Sequence, residues 1–575
     1  MKAMSRNNYI LAFIILMTFM FNSCDDVFEK ENLTAINPSD VWNDEALATA
    51  YVNNLYSRFM PGMPYSGGSS DEGADPSGNS MNSILNGTAT TNSVNYWPYS
   101  NIRKINILLD KIDTGSLTDD IRNKLKAEAK FFRAWAYFGM TKLYGGVPLV
   151  LRAQSIDEED LSVPRSSAKK CFEQIVKDLD DAIANLPEQA TGADYGRIDK
   201  GIAMAFKGRV LLFAASPQFN PSRDQALWQK AYDANKAAKD YLESKGKGLY
   251  EGYFADLWYN EQNKEVIMVN QFYDPGHLYN QNCIRPLWAT NACAGHDQPT
   301  LKLFSAFPMK DGSKFDPSNG YLDAYKNRDD RFYSTVAYNG TQEYRIADLV
   351  AKEFYLWTFE FQDGSESEAK YYGLTDSNHT GMYRLKALDF DLTQATTNQA
   401  DVDWIEIRFA EVLMNYGEAA NEVGKTSEAL DVLKKIRKRA GIEVGSGNYG
   451  ITASAKDDIR EAYIDERFVE FAFEGKRFED LRRWRRFDIL NDQGVRQGLK
   501  FVLNAGETAP TGKDNIDEFY DKFTARVFDL ETDPDYRFKL KDTYYFYGIP
   551  DGYIQQDSNL EQTIGWENGT FDPLK

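Results

Sequence analysis

The 575-residue chain is poor in histidine, poor in cysteine and short of positive charge. Its three histidines, His277, His296 and His379, are scattered too widely to suggest a zinc site or a nucleophile–base–acid triad. Four cysteines are too few for a disulfide framework in a chain this long. Cys171 reads as a buried helix residue, while Cys283 and Cys293 are spaced so that a bridge within one loop is open but not required. With 66 Lys and Arg against 86 Asp and Glu, the formal charge is −20. That excludes nucleic acid as a partner, because neutralising phosphates needs a surplus of cations on some face. The one basic run, "LRRWRRFD" at 481–488, is read as pairing with Glu474, Glu479 and Asp480 on helix faces.

The long apolar stretch Tyr9–Phe21 follows Lys2 and Arg6 and is too short to span a bilayer as a mature anchor. It has the length of a signal-peptide core, so residues 1–23 are read as an export signal. Cys24 directly after it resembles a bacterial lipoprotein cleavage site, with Phe21 departing from the usual aliphatic residue. Cys24 is then the lipidated first residue, and several acyl chains on it would tether the chain stably to a membrane. Asp25 and Asp26 look like the surface-export signal of Bacteroidetes lipoproteins.

The phrase "NYGEAANEVGKTSEAL" at 415–430 contains GKT without being a phosphate loop. A phosphate loop needs a glycine five positions before Gly424, after a strand, and position 419 is alanine. Phe409, Val412, Leu413, Tyr416, Ala420 and Val423 recur at three and four, the stripe of a helix. Gly424 suits a helix end, Thr426 or Ser427 a cap, and a second helix from about Glu428 carries Leu430, Leu433, Ile436 and Ala440 before stopping at Gly441. Gly417 and Ala429 are the small residues expected where the two helices come close, a spacing that resembles a tetratricopeptide unit.

Similar helical patterns recur along the chain. After a tether at 24–37, a helical scaffold occupies 38–250. It begins with a helix opened by Pro38 and Ser39, with Ala46, Ala50, Leu55 and Tyr56 facing inward. The scaffold is interrupted by a Gly-, Ser-, Asn- and Pro-rich surface loop at 61–95. From 251 to 401, aromatics, glycines and short alternating stretches indicate a loop-rich insert with small strands, read as ligand-binding. Helices resume over 402–490, and 491–575 is an irregular, aromatic C-terminal segment. The expected fold is mainly α: a tetratricopeptide-like scaffold of helical hairpins with an irregular insert laid on it.

Eight phrases in order, "AEAKFFRAWAYFGMTKLYGGVPLV", "GRIDKGIAMAFKGRVLLFAASP", "NKEVIMV", "AFPMKDG", "NRDDRFY", "IRFAEVLMNYGEAANEVG", "DERFVEFAFEGKRFEDLRRW" and "YYFYGIP" with "IGW", resemble the signatures of the RagB/SusD family across nearly the whole mature chain. The resemblance implies four tetratricopeptide-like helix pairs and a surface lipoprotein without enzymatic activity. It also implies a partner, a SusC-like TonB-dependent transporter in the outer membrane, for which the protein is a nutrient-capturing lid. Glycans are the usual ligands, and sugars need exposed aromatic planes beside paired donors and acceptors.

In relatives with starch-like ligands, an aromatic and an asparagine near a helix entry hold sugar. By that resemblance Tyr96 or Trp97 would stack and Asn101 would hydrogen-bond, unless Trp97 only packs the helix start. Tyr279, Arg285 and Trp288 make a candidate second wall. Asp71 and Asp75 either accept bonds from sugar hydroxyls or solvate a flexible loop. No cofactor is expected, although an acidic loop leaves calcium open. Two other classes stay open: a glycoside hydrolase, for which no catalytic carboxylate phrase is recognisable, and a binder of peptides or glycoproteins.

Overall fold

The computed structural model describes residues 40–64, 70–75, 81–155, 157–158, 161–284, 296–343, 354–364, 379–389, 391–393 and 395–575. Cys24, Arg285, Trp288 and Cys293 lie outside them, as does the export signal, and the side chain of Cys283 is likewise not described.

The first half is a run of amphipathic helices: α1 (Glu45–Phe59), α2 (Tyr99–Lys111), α3 (Asp119–Tyr144), α4 (Ala168–Asn185), α5 (Lys200–Ala215) and α6 (Gln225–Ser244). The helix α1 starts later than its sequence suggests. Asp44, not Ser39, is its cap and accepts from Leu47 N at 2.9 Å. The inward face is therefore Ala48, Val52, Leu55 and Phe59, and the expected Ala46 and Ala50 face solvent. Each later helix packs on its predecessor, α3 on α4, α4 on α5 and α5 on α6, with α1 and α2 laid against α3. Cys171 is buried in α4, as read.

The helical series does not stop at the insert. Helix α6 packs directly on α9 (Phe409–Glu422), although well over a hundred residues separate them in the chain. The insert is closed at its neck by β2 (Val266–Asn270) and β4 (Trp404–Arg408), which pair antiparallel from Val266↔Arg408 to Asn270↔Trp404. Helices α7 (Leu301–Ala306) and α8 (Asp330–Thr335) lie inside it, and the series resumes with α9, α10 (Thr426–Arg439), α11 (Lys456–Glu470), α12 (Arg477–Arg483) and α13 (Asp488–Gln493).

The GKT phrase is the α9–α10 turn: Gly424 takes φ +82° and α10 begins at Thr426. Neither Thr426 nor Ser427 caps it, because Lys425 occupies the capping position and no side chain bonds there. Gly417 is where α9 meets its neighbours. A Cβ there would run into the Tyr463 hydroxyl and Val432, and that hydroxyl donates to Ala429 O at 2.7 Å.

Buried charge bolts the insert to the scaffold. Arg331 on α8 holds Asp329 (2.7 Å), Glu466 (2.7 Å) and Glu470 (3.0 Å). Arg408 at the neck reaches Glu265 (2.7 Å), Glu470 (2.6 Å) and Glu474 (2.9 Å), and Lys386 adds a second cation to Glu474 (2.7 Å). Ions at this depth must be fully partnered, and here each is. The basic run 481–488 does pair, but inside the protein: Arg483 binds Glu418 (2.5 Å) and Asp480 (2.8 Å). Glu474, expected among its partners, is committed to Arg408 and Lys386 instead.

Candidate ligand-binding surface

Tyr96 and Trp97 enter α2 half-buried. The Tyr96 N–H donates to the Tyr144 hydroxyl at 2.9 Å, and its ring lies where a side chain at Gly139 would stand. Trp97 is enclosed by rings: Tyr553 parallel to it at 5.2 Å, Tyr99 at 4.9 Å, and Tyr144 edge-on at 5.6 Å. This lid comes from the C-terminal segment. Helix α14 (Asp551–Gln556) is tied to residues 91–95 by Thr91 Oγ1 to Asp551 (2.8 Å), Asn92 Nδ2 to Asp551 (3.0 Å) and Tyr553 Oη to Asn95 (3.2 Å). Trp97 thus packs against three rings at the helix start while staying half-buried. Asn101, half-buried one turn on, spends no side-chain hydrogen bond among the described residues.

Asp71 belongs neither to a solvated loop nor to a ligand shelf. It is wholly buried, and its two oxygens take Arg477 Nε (2.9 Å) and Nη2 (2.8 Å), with Lys302 Nζ 3.1 Å away. Burial alone would raise its pKa, but the Arg477 charge and hydrogen bonds, helped by Lys302, outweigh it and hold the carboxyl at about 2. The reason it was misread is its company of small polar residues, which masks a pairing 406 positions away. Next to it, β1 (Gly73–Ala74) pairs antiparallel with β3 (Gln298–Pro299). This joins loop 61–95 to the insert and sets Asp75 beside His296 Nδ1 at 3.2 Å, both partly exposed.

Tyr279 is half-buried; its hydroxyl accepts from Gln281 Nε2 at 2.7 Å and its ring leans on Phe272 at 4.6 Å. It stands at the base of a feature that sequence reasoning passed over. Tyr273 and His277 exchange backbone hydrogen bonds (2.8 and 2.9 Å) across "YDPGH", closing a tight hairpin. Phe272 and His277 stack at 4.2 Å beneath it, and His277 Nδ1 lies 2.6 Å from Gln271 O. Tyr273 is left 60% exposed, the most exposed large hydrophobic side chain among the described residues. The Pro-Gly pair between two aromatics was the available signal of a turn presenting rings.

The hairpin is anchored from behind. Phe272 N donates to Asp403 at 2.9 Å, and Asp403 N donates to Glu261 at 3.1 Å. Burial, with the charges of Glu261 and Asp401 adding to it, pushes the Asp403 carboxyl up to about 7 despite the Phe272 bond. Among the described residues, no group of three or more His, Cys, Asp or Glu side chains converges as a metal site, and no helix is long and apolar enough to cross a membrane.

With this geometry in place, comparison with known proteins identifies the architecture. A model of the SusD family matches residues 258–566, more than half of the chain. The protein belongs to the SusD family. A second family model, described as "Starch-binding associating with outer membrane", matches residues 31–212. The chain is 24% identical to SusD-like protein P38 of Formosa agariphila, over 83% of this chain and 91% of that one. It is 25% identical to a SusD-like protein of Bacteroides ovatus, over 68% and 64%. Among solved structures, a SusD-like protein from Bacteroides fragilis superimposes with a TM-score of 0.75 at 26% identity, covering 92% of this chain and 99% of that one. A laminarin-binding SusD-like protein shares the fold, with a TM-score of 0.58 at 20% identity, over 91% of this chain and 100% of that one. The mainly helical, tetratricopeptide-like architecture read from periodicity is thus the SusD-like fold.

Proposed function

We propose that the protein is a cell-surface glycan-binding lipoprotein, anchored through Cys24 in the outer membrane. It captures poly- or oligosaccharide and delivers it to a SusC-like TonB-dependent transporter, without cutting the polymer. The observation that carries the glycan reading is the Tyr273 ring, 60% exposed and lying against Gly276 on the hairpin whose Phe272 and His277 stack on each other. A water-facing aromatic plane suits the C–H face of a sugar. Membership of the family, and the starch-binding description of the second model, support the same ligand class.

The scaffold contributes by stiffness. The insert is held at a β2–β4 neck and bolted by buried arginines, so the platform is pre-organised and binding need not order it. A few stacking and hydroxyl contacts predict dissociation constants between micromolar and millimolar, about −4 to −8 kcal/mol.

Electrophoresis of the mature chain through gels containing individual polysaccharides tests the capture step. Retardation by at least one glycan, abolished in Tyr273→Ala, is expected; equal retardation of both proteins would remove Tyr273 from the site. Extraction from outer membranes tests delivery, and recovery of the protein without a β-barrel transporter would oppose it.

A further inference from the structure

A cleft of ≈220 Å³ opens beside the Tyr273 hairpin, between the α4–α5 connection, the end of α6 and strand β2. Its lining includes Tyr195, Tyr241, Lys245, Lys247, Gln262 and Val269. The hairpin adjoins it through Gln271, whose side chain presses on Gly196 of the same lining.

The cleft's charges are unevenly satisfied. Lys245 pairs with Glu188, and Arg197 is held by Glu128. Asp199 caps α5, accepting from Ile202 N (2.9 Å) and Ala190 N (3.2 Å). Lys247 differs from all of these. Its ammonium donates to a single carbonyl, Val266 O at 2.7 Å, and forms no ion pair among the described residues. Two of its three donors are unspent in a partly buried site. The carboxylate of the same lining that acts on it, Asp199, does so without an ion pair and spends its oxygens on backbone N–H groups. Desolvation lowers the pKa of Lys247, with Asp199 partly offsetting it, so an incoming anion would be met by an under-solvated charge. Tyr241 carries Lys245 (5.3 Å) and Lys200 (5.6 Å) against its ring, with the Glu188 and Asp199 carboxylates also acting on it.

We infer that this cleft is an acid-recognising subsite: it receives an anionic group carried on a sugar, a carboxylate or a sulfate ester, with Lys247 as counter-charge and Tyr195 and Tyr241 as walls. The inference rests on the glycan reading and narrows it to acidic glycans. A charge-assisted contact with a desolvated ammonium gives a larger discrimination than a surface ion pair, and it weakens with salt.

The test is isothermal titration of the mature chain with trigalacturonate and its methyl ester, and with a carrageenan oligosaccharide before and after desulfation. The account expects at least one charged probe to bind tenfold or more tighter than its neutral counterpart. That preference shrinks in high salt, disappears in Lys247→Met and persists in Lys247→Arg, while binding of the neutral probe stays unchanged. The carboxylate and sulfate arms separate the two sources of anion. Equal affinity for charged and neutral probes overturns the inference but leaves glycan capture standing, as does a preference that survives in Lys247→Met. No binding of any of the four probes overturns the inference, and no binding across the polysaccharide panel overturns glycan capture as well.

Discussion

Removing the Asp71 carboxylate should detach one segment of the molecule rather than melt it, and the size of the effect follows from its surroundings. The pKa of Asp71 falls from 3.8 to about 2 on folding, so the pairing contributes about 2–3 kcal/mol at neutral pH. Truncation to alanine costs more than that, about 3–5 kcal/mol, because it takes the hydrogen-bonded carboxylate from a buried guanidinium. Arg477 then keeps the face of Phe468, 4.0 Å from its guanidinium, and the charges of Glu72 and Asp480, but no hydrogen bond from its Nη1 among the described residues. The lost energy should appear where residues 70–75 dock on the insert, since proteins open locally before they open globally. Hydrogen exchange at Thr300, whose N–H donates to Glu72 O at 3.1 Å, reads that opening. Asp71→Ala should accelerate it by roughly two to four orders of magnitude. Asp71→Leu combined with Arg477→Met should recover much of the protection, because replacing both partners leaves no buried charge. The wild-type protection should hold above pH 3.8 and decline as pH falls toward about 2, where the folded carboxyl takes up its proton. Exchange at Thr300 that changes less than about threefold in Asp71→Ala would refute the reasoning, which requires a buried pair clamping this loop.

Other consequences are as direct. Gly417→Ala should destabilise the α9–α10–α11 packing by about 1–3 kcal/mol in denaturant titration, because its Cβ has no room beside Tyr463 and Val432. Asp403 binds a proton more tightly folded than unfolded, so between pH 4 and about 7 its contribution to stability falls as pH rises. Asp403→Asn should therefore raise the melting temperature at pH 8 and do less at pH 5. Trp97→Ala should cost about 3–5 kcal/mol of stability through its lost ring contacts. Tyr273→Ala should leave the melting curve almost unmoved and weaken glycan binding, the opposite pattern.

The parts legible in the sequence were those governed by local repetition. Apolar residues at three and four spell helices, and glycine at 424 spells a break, whatever the rest of the chain does. The cap positions were less legible, because Asp44 and Lys425 compete with equally eligible neighbours. The binding surface depends on long-range encounters that no window contains. The ring that Trp97 packs against, Tyr553, lies in α14, and the same residue bonds Asn95 from 458 positions away. Asp71 looked solvated until Arg477 met it. Tyr273 drew no notice because an exposed ring and a core ring share the same letters; only the Pro-Gly turn beside it marked the difference. The resemblance to the SusD family located the general region of the insert, while the individual rings needed coordinates.

Whether the Tyr273 ring on its stiff helical frame receives carbohydrate is decided by isothermal titration of the mature chain against a panel of polysaccharides, with peptides run in parallel. Heat of binding with at least one glycan, at micromolar to millimolar affinity and lost in Tyr273→Ala, is the predicted result. Heat with peptides and none with any glycan would contradict it.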